Sequence, residues 1–504
     1  MCRKWCLRWI IILIAIRIIN SQLLKGVELK CDEENQYVTD DDSKDSEYGS
    51  TGEFCTITGL HRFPQFTHFF RRNVSLVKVT GERFIFDETA LFSMKQVTSV
   101  KFYDCYFEKL PITYPFYRQF PNLVNLDLSN TGIRLLDPII YRQRLVWELS
   151  KLNLSKNRIT YINQHSLIFA RNAQEIDLSN NLISEITDDG LQRFPYLSTI
   201  NLAGNLLTEI EGNLFDSASK LENVNLRGNL IRYISPYAFY HLKYLTNVDL
   251  SSNLLSTLGS NIFRGCLNIH SLFLSNNFLK ELDLVVSGNL TTLYVASNLL
   301  SSIHVKCLNG NDARESTTSC QAMEHLGLSY NSLTSLANVS KLINLKELML
   351  SYNSLGTVRT SDFTQLKNLE KLNLRHTNLK RITYKTFSQQ RKLKFLDISE
   401  NGLGHLNLEM FMAYMHDNLE EFYASGNNLT EISGRYRFNA FSSLRKLGLG
   451  RNLFNCSYLL QIMTPPNLSS DVVLQVDADE FMSGVEHRSG IECSENGTTF
   501  VWKK

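Results

Sequence analysis

The residues best able to do chemistry in this chain are ten cysteines, eleven histidines and a set of N-x-S/T asparagines. Histidines grouped with Cys, Asp or Glu at ligand spacing would hold a metal, and a His serving a Ser or Cys nucleophile would do acyl transfer. Neither pattern occurs: His325, His376 and His405 are scattered and read as surface residues. No Gly-rich phosphate loop occurs either. No catalytic residue, metal ligand or cofactor is therefore expected, and the chain is not expected to be an enzyme. What remains is the chemistry of oxidised thiols, of glycosylation and of surface contact.

The thiols depend on compartment. Arg3, Lys4 and Arg8 precede an apolar run from Ile10 to Ile16 and a small Ser21, the layout of a secretory signal over residues 1–21. The run is shorter than the ~20 residues that span a bilayer, so a secreted, extracellular chain with no membrane span is expected. Cys2 and Cys6 would leave with the signal. Local pairing then gives Cys31–Cys55, Cys307–Cys320 and Cys456–Cys493, each closing an end or a loop. Sequence alone leaves the connectivity open. Cys105 and Cys266 read as buried free thiols, against the competing reading of a bond to another chain. Glycosylation is expected among Asn73, Asn153, Asn289, Asn338, Asn428, Asn467 and Asn496, while Asn455 stands beside Cys456.

A leucine pattern, L-x-x-L-x-L-x-x-N-x-L, must position all of these. One copy runs Leu221, Val224, Leu226, Asn229, Ile231; the next begins at Leu245 with Val248, Leu250, Asn253 and Leu255. The register continues at Leu123, Leu149, Ala173, Leu197, Ile269, Leu290, Met323, Leu345, Leu369, Leu393, Leu419 and Leu444, with weaker copies at Val74 and Val97. This period is that of a leucine-rich-repeat solenoid, an α/β fold with a parallel sheet on a concave face. The x-L-x-L core is a short strand with alternate side chains pointing inward. The Asn, replaced by Thr131 and Thr377 in two coils, would pair turn backbone groups. Phe215, Phe239, Phe263, Phe363 and Phe387 would fill the convex side. The expected organisation is a cap with an acidic loop over 22–73, about sixteen repeats over 74–455 with an insertion at 305–321, and a second disulfide cap over 456–504.

With the scaffold assigned, the residues free to bind are the strand positions that point away from the core. In one column Asn and Asp give way to Phe273, Tyr294, Gly327, Met349, Asn373, Asp397 and Tyr423, with Tyr330, Tyr352 and Phe395 in flanking columns. Adjacent aromatics make an apolar patch of the kind that holds a partner. Phe273, Tyr294, Tyr330, Met349, Tyr352, Phe395 and Tyr423 are the candidate contact residues, balanced against the plainer reading of aromatics that cover one another. The polar insertion reads equally as a rim of that site or as a tolerated surface loop. Net charge is +2 and no basic tract suggests nucleic acid.

Two stretches carry a family resemblance. Leu293-Tyr294-Val295-Ala296-Ser297-Asn298, followed by a Cys-containing irregular segment, resembles secreted insect leucine-rich-repeat proteins, above all the mosquito leucine-rich immune proteins; so does the run from Leu444 to Cys456. Long members of that family carry a double cysteine and a coiled coil, form disulfide-linked dimers and hold a thioester protein. This sequence shows neither feature and resembles a short form, for which a non-covalent dimer is a possible expectation and the thioester partner is not implied. The resemblance implies recognition in innate immunity, with an extracellular protein or microbial-surface ligand as partner. An extracellular adhesion or developmental-signalling ligand is the alternative, and a matrix protein the third reading.

Overall fold

The protein is described here by a computed structural model. It describes residues 28–32, 53–58, 74–80, most of 95–107, 114–136, 147–308, 317–475, 491–495 and 498–502, apart from a few single positions. The expected signal (1–21), the acidic loop, Asn73 and Asn496 lie outside the described residues, as do the side chains of Cys31, Cys55 and Cys493. Among the described residues no helix is long and apolar enough to cross a membrane.

Two compact units divide the chain, residues 1–207 with 213–221, and residues 208–212 with 222–504. Each is a solenoid of stacked coils. In the first, the antiparallel pair Glu28–Asp32 and Glu53–Thr58 sets Cys31 opposite Cys55. Parallel strands follow in chain order: Val74–Thr80, Ser99–Tyr103, Asn125–Asp127, Lys151–Asn153, Glu175–Asp177 and Thr199–Asn201. In the second, the parallel order runs through Asn223–Asn225, Asn247–Asp249, Ser271–Phe273, Thr292–Tyr294, His325–Gly327, Glu347–Met349, Lys371–Asn373, Phe395–Asp397, Glu421–Tyr423, Lys446–Gly448 and Val473–Gln475. In the repeats from Val97 to Leu444, the first strand starts two residues after the first apolar residue. The alternation explains the register: Leu348 and Leu350 are fully buried, while Glu347 and Met349 flank Leu348 on the open face.

The asparagine column holds the turns. Asn353 is buried; its Nδ2 donates to Leu328 O (2.9 Å) and Leu350 O (2.8 Å), and its Oδ1 accepts from Leu333 N (2.9 Å). One side chain thus satisfies its own coil and the coil before it. Thr377 keeps half of this, donating from Oγ1 to Leu374 O at 2.7 Å. On the opposite side Phe239 stacks on Phe263 at 5.4 Å, and Phe363, Phe387 and Phe411 follow one another at 5.5 and 5.9 Å.

The residue just before each ladder Asn is left-handed. In the second unit this column reads Gly228, Ser252, Asn276, Ser297, Tyr330, Tyr352, His376, Glu400, Gly426 and Arg451, all at positive φ. Its N–H groups still bond the next coil, Tyr352 N to Arg375 O and His376 N to Ser399 O, both at 2.9 Å. The sheet ladder therefore holds this column in place while the chain turns out of the strand.

The insertion adds to a different sheet. Ser302–Leu308 pairs in parallel with Glu281–Val286 and antiparallel with Thr317–Ser319, and Cys307 is bonded to Cys320. It does not extend the sheet that carries the aromatic columns. Cys105 and Cys266 are buried free thiols. Burial pushes the Cys266 thiol far up, and its Sγ donates to Phe239 O at 3.2 Å. Cys456 is disulfide-bonded and opens the helix Cys456–Met463, which lies against the strand Ile491–Glu495 that carries Cys493.

Candidate functional site: the aromatic columns of the second unit

Two adjacent columns of the second unit bring the expected aromatics together in pairs. On the strands, Phe273 and Tyr294 stack 5.9 Å apart with planes 6° from parallel. The next coil has Gly327 at the same register, and a Cβ there would come within 2.3 Å of Tyr294 Cδ1. The tyrosine ring leans over the glycine and uses the space a side chain would take. Met349 follows, half-buried like Phe273 and Tyr294.

At the left-handed column the rings form a ladder. Tyr330 stacks on Tyr352 at 4.3 Å and 7°, and Tyr352 on His376 at 4.7 Å and 22°. Tyr330 is 45 % exposed and ends the ladder beside Ser297. A bulky residue at positive φ costs energy that Gly or Asn would not. The fold accepts that cost at consecutive coils, where Tyr330, Tyr352 and His376 stack in one column.

The other end of the ladder is charged. Tyr352 Oη donates to Glu400 Oε2 at 3.2 Å, and Arg375 and Arg451 reach Glu400 Oε1 at 2.8 and 3.1 Å. His376 Nδ1 lies 3.8 Å from the same carboxylate. Burial pushes the Glu400 carboxyl up, but the Arg375 and Arg451 guanidinium charges outweigh it and hold the group below the usual carboxylate range. The Tyr352 phenol is raised, first by burial and then by the Glu400 charge.

Phe395 and Tyr423 depart from expectation. They were expected to be exposed, yet Phe395 is 9 % and Tyr423 0 % accessible. Their rings pack at 5.7 Å, Lys371 Nζ sits 5.2 Å over Phe395, and the Tyr423 hydroxyl donates to Glu421 at 3.0 Å. These contacts tie both residues into the protein and leave Phe273, Tyr294, Tyr330, Met349 and Tyr352 as the accessible set.

Sequence reasoning missed His376, Glu400, Arg375 and Arg451. The signal was present as exceptions to columns. Arg375 stands where neighbouring coils have Ser329, Ser351, Ser399 and Ser425, and His376, Glu400 and Arg451 precede ladder positions, as Tyr330 and Tyr352 do. Among the described residues no group of three or more His, Cys, Asp or Glu could hold a metal ion.

The sequons sit variously. Asn428 is exposed, and Asn289 is exposed with Nδ2 on Leu267 O at 3.2 Å. Asn338 accepts from Lys341 Nζ, and Asn467 donates to Gln461 O. Asn153 lies on the sheet face with Oδ1 accepting from Ser155 N, and Asn455 caps its helix by accepting from Ser457 N.

Residues 95–330, in overlapping stretches, match the model described as a BspA type leucine rich repeat region, and residues 343–403 match the leucine rich repeat model. By sequence, no curated protein matches. Among solved structures, the mosquito APL1 leucine-rich repeat domain is similar over 88 % of this chain and 97 % of its own, with 20 % identity and a TM-score of 0.56. The mosquito LRIM1/APL1C complex gives 20 % identity and a TM-score of 0.57, over 84 % of this chain and 66 % of that one. The Toll–Spätzle complex of Drosophila gives 20 % and 0.55, over 78 % and 52 %. At these identities the likeness is one of fold.

Proposed function

Because the chain is a leucine-rich-repeat protein, we propose that it is a secreted recognition protein of innate immunity that holds a protein or microbial-surface partner against the aromatic columns of its second unit. The observation that carries this reading is the stacked ladder Tyr330–Tyr352–His376 ending on Glu400 and its two arginines. Aligned aromatics bury large area with few rotors, and an ion cluster at one end fixes orientation. Arg451 and Tyr330 are the exposed ends of this arrangement, so an acidic group of the partner would meet Arg451 and an apolar side chain would lie over Tyr330. Proteins of similar fold lend the immune reading its support, since solved structures among them include the LRIM1/APL1C complex and Toll–Spätzle, described as a hub in development and innate immunity.

Partners captured from body fluid by the purified protein and identified by mass spectrometry test the assignment. The Tyr294→Ala, Tyr352→Ala double variant should be secreted normally. It should lose about 2 kcal/mol of affinity for the captured partner, roughly thirty-fold, at ~1 kcal/mol per anchor. Unchanged binding would remove the aromatic columns from the reading. A partner that proves to be a cell-adhesion receptor or developmental ligand would favour the alternative role.

A further inference from the structure

The coil from Lys371 to Leu396 holds eight Lys and Arg and no Asp or Glu. Half of these charges are committed. Lys371 lies over Phe395, Arg375 and Lys394 pair with Glu400 and Glu370, and Lys392 donates to Asn368. Lys380, Arg381, Lys385 and Arg391 are exposed, and among the described residues none of them forms an ion pair.

Three of the four fall within six residues on the outer edge of the coil, where Ile382 bridges to Val358 of the coil before. That register brings exposed Arg359 next to Thr383, so cations line two neighbouring coils. Beside Arg359, the Asp362 carboxylate accepts from the Arg359 backbone N–H at 2.7 Å, and the surface is open at the glycines. Gly356 on one side and Gly404 on the other have nothing within 4 Å of where a Cβ would stand, and the Lys380 stem passes Gly402. Tyr384, 59 % exposed, stands between Arg381 and Lys385. Lys385 itself has φ +74°, a conformation suited to Gly or Asn, so the chain keeps a cation at a position where the backbone disfavours it.

We propose that Arg359, Lys380, Arg381 and Lys385 form a binding site for a sulfated polysaccharide. Sulfate accepts hydrogen bonds from the guanidinium fork and from the ammonium, and unneutralised cations gain by releasing the counterions condensed on a polyanion. The glycine gaps let an extended chain lie across both coils, and the free face of Tyr384 suits a sugar ring. The site depends on the preceding reading only in taking the chain to be extracellular; it lies apart from the aromatic columns.

The test is retention of the full-length protein on heparin–agarose against a sulfopropyl matrix, with titration of heparin, desulfated heparin and duplex DNA. Retention to higher salt on heparin than on sulfopropyl, lost on desulfation and not matched by DNA, is the expected result. The triple variant Lys380→Gln, Arg381→Gln, Lys385→Asn should elute at lower salt and lower the slope of log K against log salt by ~2–3, about one per cation. Asn tolerates the left-handed backbone at 385, and an unchanged circular dichroism melt shows that the variant folds. Lys380→Arg with Lys385→Arg should keep binding. Equal retention on both matrices, equal affinity for DNA, or a triple variant that elutes with wild type would each overturn the site. Partner capture through the aromatic columns should be the same in the triple variant, so the two sites fail separately.

Discussion

Asn353→Ala should cost ~2–6 kcal/mol of stability, and the figure follows from what the side chain leaves behind. Four backbone groups lose a contact, of which Ser351 O keeps Tyr330 N at 2.8 Å. Leu328 O keeps the Nδ2 of Asn331 at 3.0 Å. Among the described residues Leu350 O and Leu333 N have no other bond, so two buried groups are orphaned at ~1–3 kcal/mol each. Thr at the same place should be cheaper. Thr377 shows why: its Oγ1 bonds the carbonyl of its own coil, Leu374 O, but does not reach back to the coil before. Asn353→Thr should therefore lose one group instead of two and cost roughly half as much. Urea unfolding followed by circular dichroism measures both variants, and hydrogen exchange at Leu333 N should rise in each. In a solenoid the loss falls on the coil and its neighbours, so exchange should localise to adjacent coils. A cost under ~0.5 kcal/mol for Ala, or Thr as costly as Ala, would refute the accounting.

Replacing Cys307 and Cys320 with Ser should destabilise the small sheet around Glu281–Val286 by about 3 kcal/mol, the closure term for a loop of this size, with little change elsewhere; limited proteolysis between the two positions should become faster in the variant, and equal rates would count against it. Glu400 has a depressed carboxyl pKa in the fold, so its contribution is present above the ordinary Glu range and disappears as pH falls through the folded value. Glu400→Gln should accordingly flatten the acid limb of the stability profile, and an unchanged limb would mean that the Arg375 and Arg451 contacts carry no linkage.

Much of the scaffold was legible because a repeat states its geometry many times over. Leu348, Leu372 and Leu396 occupy one column, and every copy places the strand anew. The burial of Cys105 and Cys266 followed from the columns they occupy, as did the pairing of turn backbone groups by the Asn column; that one Asn serves two coils did not. Other features depended on what lies against a side chain, which column membership does not specify. Tyr423 points to the same face as Tyr294, yet one is buried against Phe395 and the other leans over a glycine. The insertion looked like a polar loop, yet residues 305–308 and 317–319 of it are strand, because Ser302–Leu308 alternates weakly and gains its order from pairing with Glu281–Val286.

The charged end of the ladder was hidden for a different reason. The alternation rule tells inward from outward only while the chain stays extended, and Tyr330, Tyr352, His376 and Glu400 lie where it leaves the strand at positive φ. There the sheet hydrogen bonds persist although the side-chain alternation ends. In a repeat fold the residues that serve the scaffold are the ones that recur. Residues that break a column do so at some cost to the backbone or to burial. Gly327, Arg375, His376 and Glu400 each do so, in neighbouring coils, and the pairing that builds the sheet sets them beside the accessible aromatics they support.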